Sequence, residues 1–220
     1  MRKLTGAVFQ SLDGVMQAPG GPEEDQTSDF RYGGWVQPFW SENMGPFEDV
    51  IMGEYDLLLG KRTYDIFAAY WPYNQDNPIG AKFQRINKYV LTHSDEPLSW
   101  ENSHRISGDT AKAVAQLKRS DGRDLLIQGS SKLYVPLLAA EVIDRLVLMT
   151  FPVLLGEGKR IFDGTEAPGA LKLVDHFVSD TGVVTTSYEP AGEVKTGTFA
   201  TKEPSEAELE RREKWAKEEA

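Results

Sequence analysis

Short runs of consecutive apolar residues alternate along the chain with segments whose apolar positions recur at helical spacing. The apolar runs predict strands at residues 4–12, Leu57–Leu59, Tyr89–Leu91, Leu125–Gln128 and Arg145–Phe151. Helices are predicted over about 10 residues ending near Gly53 and over Thr63–Tyr70, Thr110–Leu117 and Lys132–Ala139, with a loop over Trp71–Lys82. Because the strands are apolar throughout and alternate with helices, they favour a mostly parallel sheet covered on both faces.

The C-terminal part of the chain follows a different pattern. Val174–Val178 and Val183–Tyr188, joined by Asp180-Thr181-Gly182, predict an antiparallel hairpin that closes the sheet. Glu, Lys, Thr and Ala dominate after Pro190, and a capping box that starts at Ser205 predicts a helix. We therefore expect one domain over residues 1–190 and a charged, partly helical tail over 191–220, either solvated or a partner-binding helix.

Composition and charge narrow the functional classes. The chain has 220 residues, 40% of them hydrophobic, a formal charge of −10 and a pI near 4.9, so a nucleic-acid-binding surface is not expected. It contains no cysteine, which excludes disulfides, thiol nucleophiles and cysteine-ligated metals, and its three histidines lie far apart. We predict no metal site.

The same sequence predicts a cytoplasmic protein without a membrane partner. No apolar run approaches the roughly 20 residues that a membrane span requires. The first residues pass directly into a strand pattern, without the apolar region of a signal peptide.

Two strand-to-helix turns carry the candidate chemistry. One contains Gly60-Lys61-Arg62-Thr63 and the other Gly129-Ser130-Ser131. A glycine followed by a helix start can present backbone N–H groups to a phosphate, so two such turns in one small domain suggest a dinucleotide. Alternatively, the first is a capped surface helix with solvated cations and the second an ordinary turn.

These segments, in this order, resemble the dihydrofolate reductase superfamily and, within it, the RibD C-terminal-like reductase domains of riboflavin biosynthesis. The resemblance covers about residues 3–189. It is carried by Ser11-Leu12-Asp13-Gly14, Leu59–Tyr64, Gly129–Tyr134 and Pro152–Phe162. It implies a three-layer α/β fold with a mostly parallel central sheet and a C-terminal antiparallel hairpin, with NADPH as cofactor, and makes a homodimer plausible.

The resemblance also implies cofactor-binding positions. They are Phe9, Gly60, Lys61, Arg62, Thr63, Thr92, His93, Ser94, Gly129, Ser130, Ser131, Leu133 and Tyr134. Lys61, with Arg62 as second candidate, would meet the adenosine 2′-phosphate beside the Thr92–Ser94 turn. Phe9, Gly129 and Tyr134 would lie near the nicotinamide, although Ser130 replaces the second glycine of the family's pair.

The substrate side departs from the folate reductases. Their helix after the first strand carries a carboxylate, and a gapless alignment from Gly60 places Met44 there, so dihydrofolate is not the expected substrate. Asp13 and Glu48 are the candidate proton donors, with Glu42, Asp49 and water as alternatives; Asp13 is equally a turn former. Trp40, Phe47, Phe67 and Trp71 are the candidate substrate pocket, although these aromatics equally fit a core or a dimer face.

Three hypotheses follow from these residues. The first is an NADPH-dependent reductase of a small planar heterocycle. The second is a binding protein that kept the fold and lost catalysis, which the missing acid and the missing second glycine favour. The third is a flavin-linked oxidoreductase, for which no motif stands out. A deaminase half is excluded, since its zinc needs cysteine ligands.

Overall fold

The described residues of the computed structural model, 1–164 and 168–218, form one eight-stranded sheet in the order β4-β3-β2-β5-β1-β6-β8-β7. The strands are β1 (Leu4–Ser11), β2 (Tyr55–Gly60), β3 (Lys88–Leu91), β4 (Ser103–Ile106), β5 (Asp124–Gln128), β6 (Arg145–Phe151), β7 (Leu171–Val178) and β8 (Val184–Pro190). The first six in this numbering pair in parallel, whereas β8 pairs antiparallel with β6 and β7. The predicted parallel sheet and C-terminal hairpin are confirmed.

Helices cover both faces of this sheet. They are α1 (Pro46–Met52), α2 (Lys61–Tyr70), α3 (Pro78–Arg85), α4 (Thr110–Arg119), α5 (Ser131–Ala139) and the tail helix α6 (Glu206–Glu218). Side chains of α1, α2 and α3 pack with alternate residues of β1, β2, β5 and β6 on one face, whereas α4 and α5 pack on the opposite face. The result is the three-layer arrangement expected for a central sheet without alternating polar residues.

A short 3₁₀ helix, helix α3 and strand β4 were not expected from the apolar pattern. The segment predicted as a loop over Trp71–Lys82 contains a short 3₁₀ helix and most of α3. The Asn77 side chain caps α3 by accepting from the Ile79 N–H at 2.9 Å, and Phe83 buries its ring completely. Strand β4 lies at the sheet edge and is mostly polar, because only one of its edges pairs with a neighbour.

The tail leaves the sheet after β8. Backbone hydrogen bonds between Ala170 and both Ala191 and Gly192 extend the hairpin slightly beyond its last pair. Helix α6 follows, and several of its charged side chains contact one another. Glu208 forms ion pairs with Arg211 and Arg212, and the Arg211 guanidinium lies over the ring of Trp215. None of the described helices combines the length and apolar character needed to cross a membrane.

Removing residues 194–220 should therefore leave the domain folded. Leu209 and Trp215 are about half exposed, and no residue of the described part of α6 is buried. We expect the truncated protein to keep its melting temperature within about 2 °C, since the lost contacts are solvated. Differential scanning calorimetry of the two chains tests this, and a decrease of about 8 °C or more would show that the tail is part of the core.

Candidate functional site

The turns that follow β2 and β5 meet at the carboxyl edge of the sheet. The Gly60 N–H donates to Ser130 Oγ at 3.0 Å, and the Ser130 N–H donates to Thr63 Oγ1 at 3.0 Å. These bonds join segments almost 70 residues apart. The two turns, which the sequence singled out separately, thus form one continuous surface. We call this surface, made by residues 60–63 and 129–131, the junction.

Gly129 must be a glycine at this junction. Its φ is +65°, and a Cβ added there would lie 3.0 Å from Thr63 Cγ2. Ser130 also takes a left-handed conformation, with φ 59° and ψ 51°, although a serine adopts it at a cost of roughly 1 kcal/mol. Ser130 therefore adopts a backbone conformation that usually favours glycine, and its hydroxyl binds the opposite turn.

Two helix N-termini converge at this junction. Helix α2 begins at Lys61, two residues before the predicted start, and Gly60 is its N-cap residue. Neither Gly60 nor Ser130, the N-cap of α5, makes a side-chain cap hydrogen bond to its own helix. The first-turn N–H groups of both helices therefore lack side-chain acceptors, and both dipoles favour an anion.

Lys61 lies on the side of this junction that faces the loop after β3. Its Nζ contacts Asp65 Oδ1 and Glu96 Oε2, each at 2.8 Å. The hydrogen bonds that Lys61 donates to Asp65 and Glu96 raise the pKa of Lys61, and the Lys61 ammonium lowers the pKa of Glu96. Sequence analysis missed Glu96, although an acid so soon after the Thr92–Ser94 turn is a recognisable signal.

The Thr92–Ser94 turn is built by its own hydroxyls. Thr92 Oγ1 accepts from the Ser94 N–H at 3.0 Å, and Ser94 Oγ accepts from the Glu96 N–H at 3.2 Å. Thr92 is buried, whereas His93 is exposed. Lys61 and Ser94 therefore lie on either side of Glu96, so these predicted cofactor residues share one neighbourhood.

Arg62 points away from Lys61. Its Nη1 donates to Thr27 Oγ1 at 2.8 Å and lies 3.5 Å from Asp25 Oδ1. Lys159 contacts the same two residues, so two cations converge on Asp25. Residues 24–27 and the start of α2 border a cleft of about 260 Å³. Lys61 and Arg62 therefore contact different parts of the protein.

Leu133 and Tyr134 do not fit their predicted role as cofactor-contacting side chains. Both belong to the core on the α4 and α5 face, and Tyr134 is completely buried. The Tyr134 hydroxyl donates to the Ile127 carbonyl at 3.3 Å, and a Cβ at Gly6 would lie 2.6 Å from its ring. Leu133 and Tyr134 lie on the side of α5 that faces the sheet, beneath the junction, so their side chains enter the core instead of the predicted cofactor site.

The predicted substrate aromatics form two groups on the opposite face of the sheet. Phe9 packs between Trp40 and Phe47, with ring centroids 6.0 and 4.9 Å away. Phe67 and Trp71 instead pack on Phe83. Both groups join the same buried cluster, so Phe47 is largely core, whereas Trp40 is half exposed.

Trp40 also lines a second cleft, of about 530 Å³. Its other walls are Ser41, Glu42, Asn43, Phe177, Asp180 and Thr181. Ser41 Oγ donates to Asp180 Oδ1 at 2.8 Å, which links the aromatic loop to the turn of the β7–β8 hairpin. The exposed side of the Phe9 group therefore borders open space.

Asp13 is occupied by structural hydrogen bonds. Its carboxylate accepts from Ser11 Oγ at 2.6 Å and from the N–H groups of Leu155 and Gly156 at 3.1 and 2.8 Å. Burial acts to raise the pKa of Asp13, but these hydrogen bonds outweigh it and lower the pKa to about 2. An ionised carboxylate is a poor proton donor at neutral pH, so this geometry favours the turn-forming alternative.

Glu48 lies at the start of α1 and is exposed. Its Oε1 accepts from the Met44 N–H at 3.3 Å, whereas Phe47 and Ile51 are the residues of α1 that face the core. Met44 is buried, and its carbonyl accepts from Thr185 Oγ1 at 3.1 Å. Glu48 therefore binds the backbone just before α1 and is not one of the α1 residues that face the core.

The family model for the RibD C-terminal domain matches residues 2–185. The chain belongs to the RibD C-terminal domain family. The protein YyaP of Bacillus subtilis, described as uncharacterised, is 26% identical over 136 residues, covering 60% of this chain and 72% of YyaP. Its resemblance to this RibD C-terminal domain is therefore a sequence relationship without an assigned activity.

Solved structures show the same fold in reductases and related proteins. A putative riboflavin biosynthesis protein from Shewanella sp. PV-4 has a TM-score of 0.64 at 20% identity, covering 86% of this chain and 99% of that one. Dihydrofolate reductase from Enterococcus faecalis, in complex with NADP(H), has a TM-score of 0.55 at 16% identity, covering 86% and 96%. The dihydrofolate reductase-like fold of this RibD C-terminal domain is confirmed.

No three His, Cys, Asp or Glu side chains converge on a metal-sized site within residues 1–164 and 168–218. The junction of this RibD C-terminal domain presents backbone N–H groups, the hydroxyls of Thr63 and Ser130, and the Lys61 cation.

Replacing Asp13 by asparagine tests whether this carboxylate acts through structure. Because its folded pKa of about 2 lies below the ordinary value of 3.8, its ionisation stabilises the fold above about pH 4. We expect Asp13→Asn to lower the free energy of unfolding by on the order of 1 kcal/mol at pH 7. The difference from wild type should shrink as the pH falls from about 4 to 2. Urea denaturation at several pH values measures it, and a pH-independent difference would contradict the assignment.

Proposed function

We propose that this protein is a reductase that uses NADPH to reduce a small planar heterocycle of the pteridine or pyrimidine type. The observation that carries the proposal is the junction at Gly60 and Ser130, where two helix N-termini without side-chain caps lie side by side. Such N–H groups, with their helix dipoles, favour the diphosphate of a dinucleotide. In an acidic protein, a local seat of this kind is what an anionic cofactor requires.

The residues at the junction fit the cofactor. A Cβ at Gly129 would crowd Thr63, so the glycine lets the two turns approach each other closely enough for both to contact one ligand. Lys61 and the Thr92–Ser94 turn offer a cation and hydroxyls for the adenosine 2′-phosphate. The Enterococcus faecalis relative was solved with NADP(H), which supports NADPH as the cofactor.

The chain's own contribution is positioning. NADPH would supply the hydride. The junction would hold its diphosphate, and the aromatic group of Phe9 and Trp40 would exclude water and stack on the heterocycle. Asp13 is ionised and Glu48 is bound to the Met44 N–H, so the proton would come from water, from Glu42 or Asp49, or from a group on the substrate.

A second candidate function is a binding protein on the same fold. The engagement of both candidate acids in structural hydrogen bonds favours it. The two functions differ in one observable: both bind the dinucleotide, but only the reductase oxidises NADPH when a heterocycle is added. Absorbance at 340 nm, followed with a panel of pteridines and pyrimidines, separates them.

Charge reversal at Lys61 should weaken NADPH selectively. Lys61→Glu places a carboxylate at the proposed 2′-phosphate position, so we expect a loss of about tenfold or more in NADPH affinity and a much smaller loss for NADH. Arg62→Glu is the matched control, because Arg62 faces Asp25 and Thr27 instead. Thr63→Ala should weaken both cofactors alike.

Isothermal titration of wild type and the three variants measures these affinities. The assignment of Lys61 is wrong if Lys61→Glu weakens both cofactors equally or if Arg62→Glu has the larger selective effect. Wild-type protein that binds neither cofactor at millimolar concentration would contradict the reductase and the dinucleotide-binding alternative together.

Dihydrofolate should not be reduced at an enzymatic rate. The gapless alignment from Gly60 places the buried, apolar Met44 at the position of the folate-binding carboxylate, and its side chain cannot act as that carboxylate does. We expect turnover far below the roughly 10 per second of an ordinary enzyme. Oxidation of NADPH with saturating dihydrofolate measures it, and turnover near that value would show that another carboxylate serves the pterin.

A further inference from the structure

Gln128, the last residue of β5, carries a polar side chain at the border between the junction and the face of the sheet that carries Phe9, which we call the aromatic face. Its Oε1 is buried and has no hydrogen-bond partner among the described residues. A buried acceptor left unpaired typically destabilises a fold by about 1–3 kcal/mol. Such groups are rare in folded proteins, and this one lies directly before Gly129.

The pleat of the sheet fixes the direction of Gln128. It pairs with Ala7 of β1, and both share a face with Leu126 and, two residues along β1, with Phe9. This is the face of the aromatic group, opposite to the face that buries Leu133 and Tyr134. The amide therefore lies beside Phe9, next to the position proposed for the nicotinamide.

Gln10 has a comparable orphaned atom but a different environment. Its Oε1 is also buried without a partner, yet its Nε2 donates to Thr150 Oγ1 at 3.0 Å. Gln10 and Thr150 are register partners on the face of α4 and α5. The Gln10 amide is thus fixed by the fold on the side away from the site, whereas the Gln128 Oε1 accepts no hydrogen bond from any of the described residues.

We propose that Gln128 is a specificity-determining residue whose Oε1 accepts a hydrogen bond from a ring N–H of the substrate. This inference rests on the proposed function, because it places the heterocycle against Phe9. It narrows the substrate to heterocycles with an N–H donor, such as lactam-type pteridines and pyrimidines. Quinones, nitroaromatics and fully N-alkylated rings would leave the acceptor unpaired.

The test compares two fluorescent pteridinediones. Lumazine has ring N–H donors, whereas methyl groups replace them in 1,3-dimethyllumazine. A neutral hydrogen bond to an otherwise unpaired buried acceptor corresponds to about a tenfold difference in affinity. Wild-type protein should therefore bind lumazine about tenfold more tightly, measured by fluorescence titration with and without NADP⁺.

Variants assign this preference to one atom. Gln128→Leu, which has no acceptor, should bind the two ligands within about twofold of each other, and Gln128→Glu, which keeps an acceptor, should retain the preference. Gln10→Leu is the matched control and should behave as wild type. Because Gln128→Leu removes an unpaired buried group, its melting temperature should equal or exceed that of wild type, which excludes unfolding as the cause.

The proposal is overturned if wild type binds lumazine no more tightly than its dimethyl derivative or binds neither, or if Gln128→Leu keeps the preference. NADPH titration of the same proteins tests the proposed function separately. Failure to bind NADPH with an intact lumazine preference would contradict the reductase but not the role of Gln128.

Discussion

The hydrogen bonds between the turns after β2 and β5 are the constraint around which the candidate site is organised. Gly60 donates to the Ser130 hydroxyl, and Ser130 donates to Thr63, so neither turn can move without the other. The bonds hold the starts of α2 and α5 together, although these helices lie on opposite faces of the sheet. In a parallel sheet, the carboxyl ends of the strands lie at the same edge. The hydrogen bonds among Gly60, Thr63 and Ser130 join two of the loops at that edge into one surface.

The remaining parts of the site take their positions from this junction. Lys61 follows Gly60 directly and faces the loop after β3, where its ammonium group forms an ion pair with Glu96. Gln128 precedes Gly129 and is therefore held on the aromatic face, beside Phe9. The order along the edge is thus a cation, two helix N-termini and an aromatic surface, and the proposed binding of a nicotinamide dinucleotide and its substrate requires this order.

Much of this arrangement was predictable from sequence because it depends on local patterns. Continuous apolar runs identify the strands of a sheet buried on both faces, and glycine before a helix start identifies both turns. Helix α3 was missed because its stabilisation comes from the Asn77 cap and one fully buried ring, Phe83, rather than from a long apolar stripe. Edge strand β4 was missed because its exposed side carries polar residues.

Side-chain direction was less predictable than backbone position. Leu133 and Tyr134 follow the glycine turn in sequence, but the orientation of α5 turns them into the core. Glu48 lies on the expected helix, but the rotation of α1 directs it to the Met44 N–H. Both outcomes depend on how a helix packs on the sheet, which a motif does not encode, and the same applies to the bonds that occupy Asp13.

The central claim is that one dinucleotide contacts both turns at once. Titration of ¹⁵N-labelled protein with NADPH, followed by two-dimensional amide NMR, tests it most directly. The account predicts that the backbone N–H signals of Arg62, Thr63, Ser131 and Lys132 shift together along one binding curve. Shifts confined to one turn, or to the cleft beside Trp40, would contradict it.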